Sequence, residues 1–90
     1  MAWTIEFTES ARREIRKLDR TTARQVRAFL NDRVLASGDP RSFGKALGGA
    51  LSGLWTYRVG DYRIISEVQD NVLTVLVVRV GHRRNVYRRL

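Results

Sequence analysis

The chain has no cysteine, one histidine, one proline and one methionine in 90 residues. Without cysteine there is neither a disulfide framework nor a thiolate metal site. With a single histidine and acids scattered one by one, metal catalysis has few ligands to draw on. No nucleophile-turn motif surrounds any serine, and no pair of carboxylates is spaced for glycosidic chemistry. Long apolar runs are missing as well: the longest, around Val72–Val78, is interrupted by Thr74 and falls far short of the ~18 apolar residues of a membrane span. The opening MAWTIEF lacks the charged-then-apolar layout of a signal peptide. These absences lead to the expectation of a cytoplasmic protein with no metal and no cofactor. There is no tandem repeat or low-complexity tract, and the length suits one domain over residues 1–90 with a small core.

What the chain has in excess is positive charge. Fifteen arginines and two lysines against nine acids leave a net charge of +8 and a pI near 11.3. Such a balance calls for a polyanionic partner, a nucleic acid or an acidic protein. The preference for arginine is informative, because guanidinium makes planar, bidentate contact with phosphate and stacks on bases, whereas ammonium acts as a point charge. For any single arginine a solvated surface position is the plainer expectation.

Residues 2–7 alternate, with Trp3, Ile5 and Phe7 on one face, which predicts a half-buried strand. Thr8 or Ser10 caps a helix through about Leu18, with Ala11, Ile15 and Leu18 inward and Arg12, Arg13, Arg16 and Lys17 outward. Asp19 to Thr22 provides a break and a new cap. A second helix runs to about Leu35, with Ala23, Val26, Leu30 and Val34 inward and Arg24, Arg27 and Arg33 outward. Residues 38–53 hold five of the seven glycines and are expected to be a connector, with a short turn near Phe43–Leu47. Their spacing is not that of a phosphate-cradling loop. Three strands follow, at about Leu54–Val59, Tyr62–Val68 and Val72–Val80, the last apolar on both faces and therefore central, and ended by Gly81. The tail from His82 is a short basic helix or extension. The order βααβββ, with a helical hairpin on one face of an antiparallel-rich sheet, defines an α+β fold.

The stretch from Leu54 to Tyr87 carries the chemistry. Gly60-Asp61 sits between two alternating runs as a two-residue hairpin turn. A loop of that length sets Val59 opposite Tyr62 and Arg58 opposite Arg63. Like charges so placed repel, and a chain that keeps two guanidinium groups side by side has an anion for them. RNA phosphate is the expected one. Trp55, Tyr57 and Tyr62 fall on the other, apolar side. Cationic donors with a tyrosine and a histidine suit metal-free cleavage of an RNA backbone. That reaction needs a proton acceptor for the 2′-hydroxyl, donors for the charge developing on phosphorus, and an acid for the leaving oxygen.

GLWTYRVGDYRIISEV and VLVVRVGHRRNVY, with the preceding βαα segment, resemble the RelE family of bacterial toxin–antitoxin systems over nearly the whole chain. The resemblance implies a small RNase-like fold, a metal-independent endoribonuclease that cuts mRNA in the ribosomal decoding site, and a RelB-like antitoxin partner in a hetero-oligomeric complex. Carried over by position, Arg63 and Arg83 would hold phosphate and stabilise the transition state. Arg58 would be a phosphate ligand or aid proton transfer, and Tyr87 would stack on a base or orient the nucleophile. Lys45 in the connector and Arg84 and Arg88 in the tail are candidate RNA contacts. The pattern departs at Thr56, where relatives often carry a basic residue, and His82 is the candidate general base in its stead, imidazole being the side chain that exchanges protons near neutral pH. Two other readings stay open: a ParE-like toxin that inhibits DNA gyrase, which Thr56 favours, and a catalytically inactive relative that only binds an antitoxin.

Overall fold

The computed structural model describes residues 3–83, 86 and 87. Five strands form one mixed sheet: β1 (Thr4–Phe7), β2 (Lys45–Ala46), β3 (Trp55–Val59), β4 (Tyr62–Gln69) and β5 (Thr74–His82), in the spatial order β1-β5-β4-β3-β2. The expected antiparallel meander of the last three strands is present, and β1 joins it in parallel alongside β5. Two helices, α1 (Glu9–Arg16) and α2 (Arg20–Phe29), connect the parallel pair. They cover one face of the sheet, so the fold is α+β.

Local chemistry sets the helix boundaries. Thr8 caps α1 by accepting the Ala11 N–H at 3.1 Å, and Asp19 caps α2 by accepting from Thr22 at 3.2 Å. Those side chains satisfy amide donors that the first turn leaves open. Past Phe29 the helix widens into a π-helical segment, Leu30–Leu35, so the continuous coil ends where the periodicity predicts. Ala11 and Ile15 from α1 and Val26, Leu30 and Val34 from the second coil are buried against Tyr57, Ile64, Val75, Val77 and Val80. The arginines predicted to line the outside (12, 13, 16, 24, 27 and 33) are all exposed. Among the described residues, no helix is long and apolar enough to cross a membrane.

Three details depart from expectation. The connector is not wholly irregular: Lys45 and Ala46 pair with Thr56 and Trp55 as an edge strand. The turn before β5 is a 3-10 segment, Asp70–Val72, closed by Leu73 at φ 48°, so β5 starts at Thr74 rather than Val72. Gly81 does not end β5, since Arg63 pairs with Gly81 and Tyr62 with His82. Between these ends the β4–β5 register shifts at Ile65/Ser66, where Arg79 opposes Ile65 but Val77 opposes Ser66. Val78 is the extra residue of a bulge. The bulge returns Val80 to the core, whereas plain alternation from Val77 would have turned it outward.

Helix α1 secures that irregular stretch where β1 has run out. The Thr8 amide donates to the Val77 carbonyl at 2.9 Å and its hydroxyl to the Val78 carbonyl at 3.2 Å. The Glu14 carboxylate accepts the Val80 N–H and the Arg79 Nε, both at 2.8 Å. At the other end of the molecule, Arg41 grips Asp70 through both nitrogens and lies 5.7 Å from the Trp55 ring. The buried Tyr57 hydroxyl donates to the Pro40 carbonyl at 2.7 Å, and burial raises its phenol pKa. Both contacts tie the connector down on the sheet.

Glu14→Ala strands a half-buried amide and guanidinium, and a urea titration should show a loss of about 1–3 kcal/mol, the cost of unsatisfied buried donors. The Asp70 carboxyl is held below its ordinary range by its hydrogen bond to Arg41. A lowered folded-state value means the stabilisation is present above the unfolded pKa and lost as pH falls through the folded one. Asp70→Asn should therefore remove part of the acid-side loss of stability, read as a shallower fall in Tm between neutral and acidic pH.

Candidate functional site

The β3–β4 hairpin turns on Gly60 and Asp61, with Gly60 at φ 58° and no positive φ at Asp61. Glycine with positive φ at the first central position is the II′ pattern, whose twist matches that of the flanking strands. The resulting register sets Val59 against Tyr62, Arg58 against Arg63 and Tyr57 against Ile64. Tyr57 and Ile64 are fully buried in the core, while Trp55 and Tyr62 are only half-buried. Arg58 and Arg63 therefore lie together on the face away from the helices.

Two rows of cross-strand neighbours make up that second face. Lys45, Thr56, Ile65 and Arg79 form one, and Arg58, Arg63 and Gly81 form the next. Among the described residues the ion pairs involve Arg41 and Arg79, and neither Arg58 nor Arg63 has a carboxylate partner. Glu67, a possible mate for Arg58 on sequence grounds, accepts from Gln69 instead. The Arg63 Nη1 is closed off from solvent and has no hydrogen-bond acceptor among the described residues. A buried cationic donor without an acceptor costs free energy.

Val86 and Tyr87 fold back across the same face. The Arg83 amide donates to the Asp61 carbonyl at 2.8 Å, fastening the tail to the hairpin turn, and the Val86 amide donates to the His82 carbonyl at 3.0 Å. Val86 is 1% exposed and sits over Gly81, where an added Cβ would lie 3.4 Å from its Cβ. Ile65, in the neighbouring row, is fully buried although it belongs to the second face and not to the main core. The Tyr87 hydroxyl reaches the Thr56 Oγ1 at 3.5 Å, a long contact, with the ring partly exposed.

So Arg58, Arg63, Tyr87 and Lys45 share one face, with Arg83 exposed beside the hairpin turn. His82 is not with them. It pairs with Tyr62, the two rings 5.8 Å apart edge to face, and stands on the helix-bearing side of the sheet because the bulge at Val78 reverses the alternation. Arg84 and Arg88 lie outside the described residues. Sequence reasoning missed β2 and the pit that holds Val86. The second carried a signal, since a glycine inside a strand marks a close approach of another segment. Among the described residues, no group of three or more histidine, cysteine or acidic side chains is placed to hold a metal.

A small α+β domain with an uncompensated cationic face describes a recognised class. Residues 5–87 match the family described as the ParE toxin of type II toxin-antitoxin system, parDE. The chain is 38% identical over 90 residues to Toxin RelG of Mycobacterium tuberculosis, covering 99% of this chain and 100% of that protein. It is 29% identical over 84 residues to Toxin RelE of the same organism, covering 93% and 84%. Of solved structures, a chain of the toxin–antitoxin complex RelBE2 from M. tuberculosis superposes with TM-score 0.80 at 34% identity, covering 91% of this chain and 99% of that one. The isolated RelE toxin of E. coli gives 0.73 at 27%, covering 90% and 84%. The chain belongs to the RelE/ParE superfamily and is a toxin of a type II toxin–antitoxin system.

Val86→Ala removes two methyl groups from a closed pit, and at ~0.8 kcal/mol per buried carbon plus a cavity term the cost should be about 2–3 kcal/mol. The tail should loosen first, seen as faster tryptic cleavage after Arg83 while the protein remains folded.

Proposed function

We propose that this toxin is a RelE-like, metal-independent endoribonuclease that cleaves mRNA on the ribosome and so arrests translation in the cytoplasm. The observation that carries the reading is the Arg63 guanidinium, which stands opposite Arg58 across the ladder and has no carboxylate partner among the described residues. In the reaction the 2′-hydroxyl gives its proton to water, its oxygen attacks phosphorus, and the bond to the 5′-oxygen breaks, that oxygen taking a proton from water to leave a cyclic phosphate and a free 5′-hydroxyl. Negative charge grows on the non-bridging oxygens, and the two guanidinium forks are set to donate to them. Arg83 adds a cation from the tail, and Tyr87 offers a ring for a base and a hydroxyl near the nucleophile. A guanidinium stays protonated, so the contribution of these arginines is charge stabilisation rather than proton removal. His82, across the sheet, has no part in the reaction.

The proposed partner is a RelB-like antitoxin in a hetero-oligomeric complex, with acidic side chains over the arginine face. The M. tuberculosis RelBE2 structure is a toxin–antitoxin complex, and an E. coli RelE variant 28% identical to this chain is held with a peptide of its antitoxin RelB. A second reading, inhibition of DNA gyrase, is favoured by one feature. Thr56, 9% exposed, puts a neutral hydroxyl in the row beside Arg58, where a titratable group would assist proton transfer.

Translation-dependent cleavage of a reporter mRNA tests the main reading. Arg63→Ala should lower the rate about 10²–10³-fold, the usual effect of removing one preorganised donor, and Arg83→Ala should lower it as well. Undiminished cleavage by the double variant would refute the site. Replication stopping before translation on induction would favour gyrase.

A further inference from the structure

The strand that the glycine-rich connector conceals places a cation where it has work to do. Lys45 pairs with Thr56 in β2, and directly opposed residues point to the same side of a sheet. The preceding residue confirms the direction. A Cβ on Gly44 would lie 3.0 Å from the Tyr57 Cε1 and 3.3 Å from the Trp55 Cε3, so Gly44 backs onto the core side. Alternation then sends Lys45 to the second face. Lys45 is exposed, and among the described residues no carboxylate meets it. Glu67 stands one pleat further along and two strands away.

Thr56 and Arg58 are two residues apart on one strand, and two residues of strand advance roughly 6.6–6.8 Å. Successive phosphates of a single-stranded nucleic acid are separated by a similar step. A backbone laid along β3 with one phosphate on the Arg58/Arg63 row thus brings its neighbour to the Lys45/Thr56 row. Tyr87, whose hydroxyl reaches Thr56, offers its ring as a stacking surface at that row, and bases stack on such rings without regard to sequence. The edge strand is held in position from outside the site: Arg41 is fixed to Asp70, and the Tyr57 hydroxyl holds Pro40.

We propose that Lys45 forms a second phosphate subsite, one pleat from the arginine pair, that binds the phosphodiester adjoining the one cleaved. This rests on the RNase reading and sharpens it, because the site then measures two consecutive phosphates rather than one. The lysine is a binding residue, and a flexible ammonium suits the flanking phosphate, which undergoes no chemistry.

The test is an NMR titration with a 2′-deoxy trinucleotide, which has two linkages and no attacking hydroxyl, and with the same molecule carrying one neutral methylphosphonate linkage. For the native protein, neutralising a linkage should weaken binding about fivefold, the order expected for one cation–phosphate contact. Lys45→Met should lose the same factor with the fully charged trinucleotide, lose nothing more with the neutralised one, and show a log K against log salt slope smaller by ~0.7. Lys45→Arg should restore both. Native affinity and slope in Lys45→Met, or a further loss with the methylphosphonate, would overturn the subsite. Arg63→Ala separates the two levels. If it abolishes binding while Lys45→Met does not weaken it, only the subsite fails. If the native protein does not bind, or if neither substitution weakens binding, the subsite falls, and the RNase reading then stands or falls on translation-dependent cleavage by Arg63→Ala.

Discussion

Two guanidinium groups facing each other across one rung of a hairpin are held there by the other side of the same strands. A strand has a side-chain period of two, so slipping β3 against β4 by one residue would turn Tyr57 or Ile64 into water and bring Arg58 or Arg63 into the core. Tyr57 is fully buried and its hydroxyl is bonded at 2.7 Å to Pro40, and Ile64 is fully buried beside it. The apolar face thus fixes a register that the cationic face, left alone, would avoid. Gly60 completes the constraint by allowing a two-residue turn. Repulsion between the arginines is the cost of that arrangement.

Much of this was legible beforehand because it depends on near neighbours. The Thr8 and Asp19 caps, the inward stripes of both helices, the Gly60-Asp61 turn and the Arg58–Arg63 register all follow from residues within a few positions of each other. What could not be read depends on partners far along the chain. Nothing in residues 38–53 marks Lys45-Ala46 as a strand, since a two-residue strand has no periodicity and exists because the β3 edge accepts it. The parallel pairing of β1 with β5 joins residues 70 apart, Thr4 with Thr74. The bulge was hidden because Val77, Val78 and Val80 are all valines. Any of them could face the core, and the choice is made by α1 rather than by β5.

That choice decides which groups share the site. With plain alternation from Val77, Arg79 and Gly81 would fall on the core side, and His82 would emerge beside the arginines. The extra residue at Val78 reverses this. Gly81 is delivered to the second face, where its missing side chain makes room for Val86, and His82 is sent to pack on Tyr62. Glu14 maintains the irregularity by standing in for the strand that β1 no longer provides, accepting from the Val80 amide and from Arg79. A single carboxylate on a helix thus satisfies the donors that the bulge leaves open at the strand edge.

The second face also has to solve a packing problem of its own. Ile65 is an isoleucine on the side without helices, and exposed there it would interrupt a polar surface with a lone apolar one. It is not exposed: Ile65 is fully buried, as is Val86, which sits over Gly81 in the adjoining row. Burying two aliphatic side chains contributes about 3–6 kcal/mol before the entropy of ordering the tail is charged against it. The position of Val86 fixes where Tyr87 stands, and the Arg83 amide is fixed to Asp61 in the hairpin turn. Arg83 and Tyr87 are thus placed by one valine and one backbone hydrogen bond, while Arg58 and Arg63 are placed by the core.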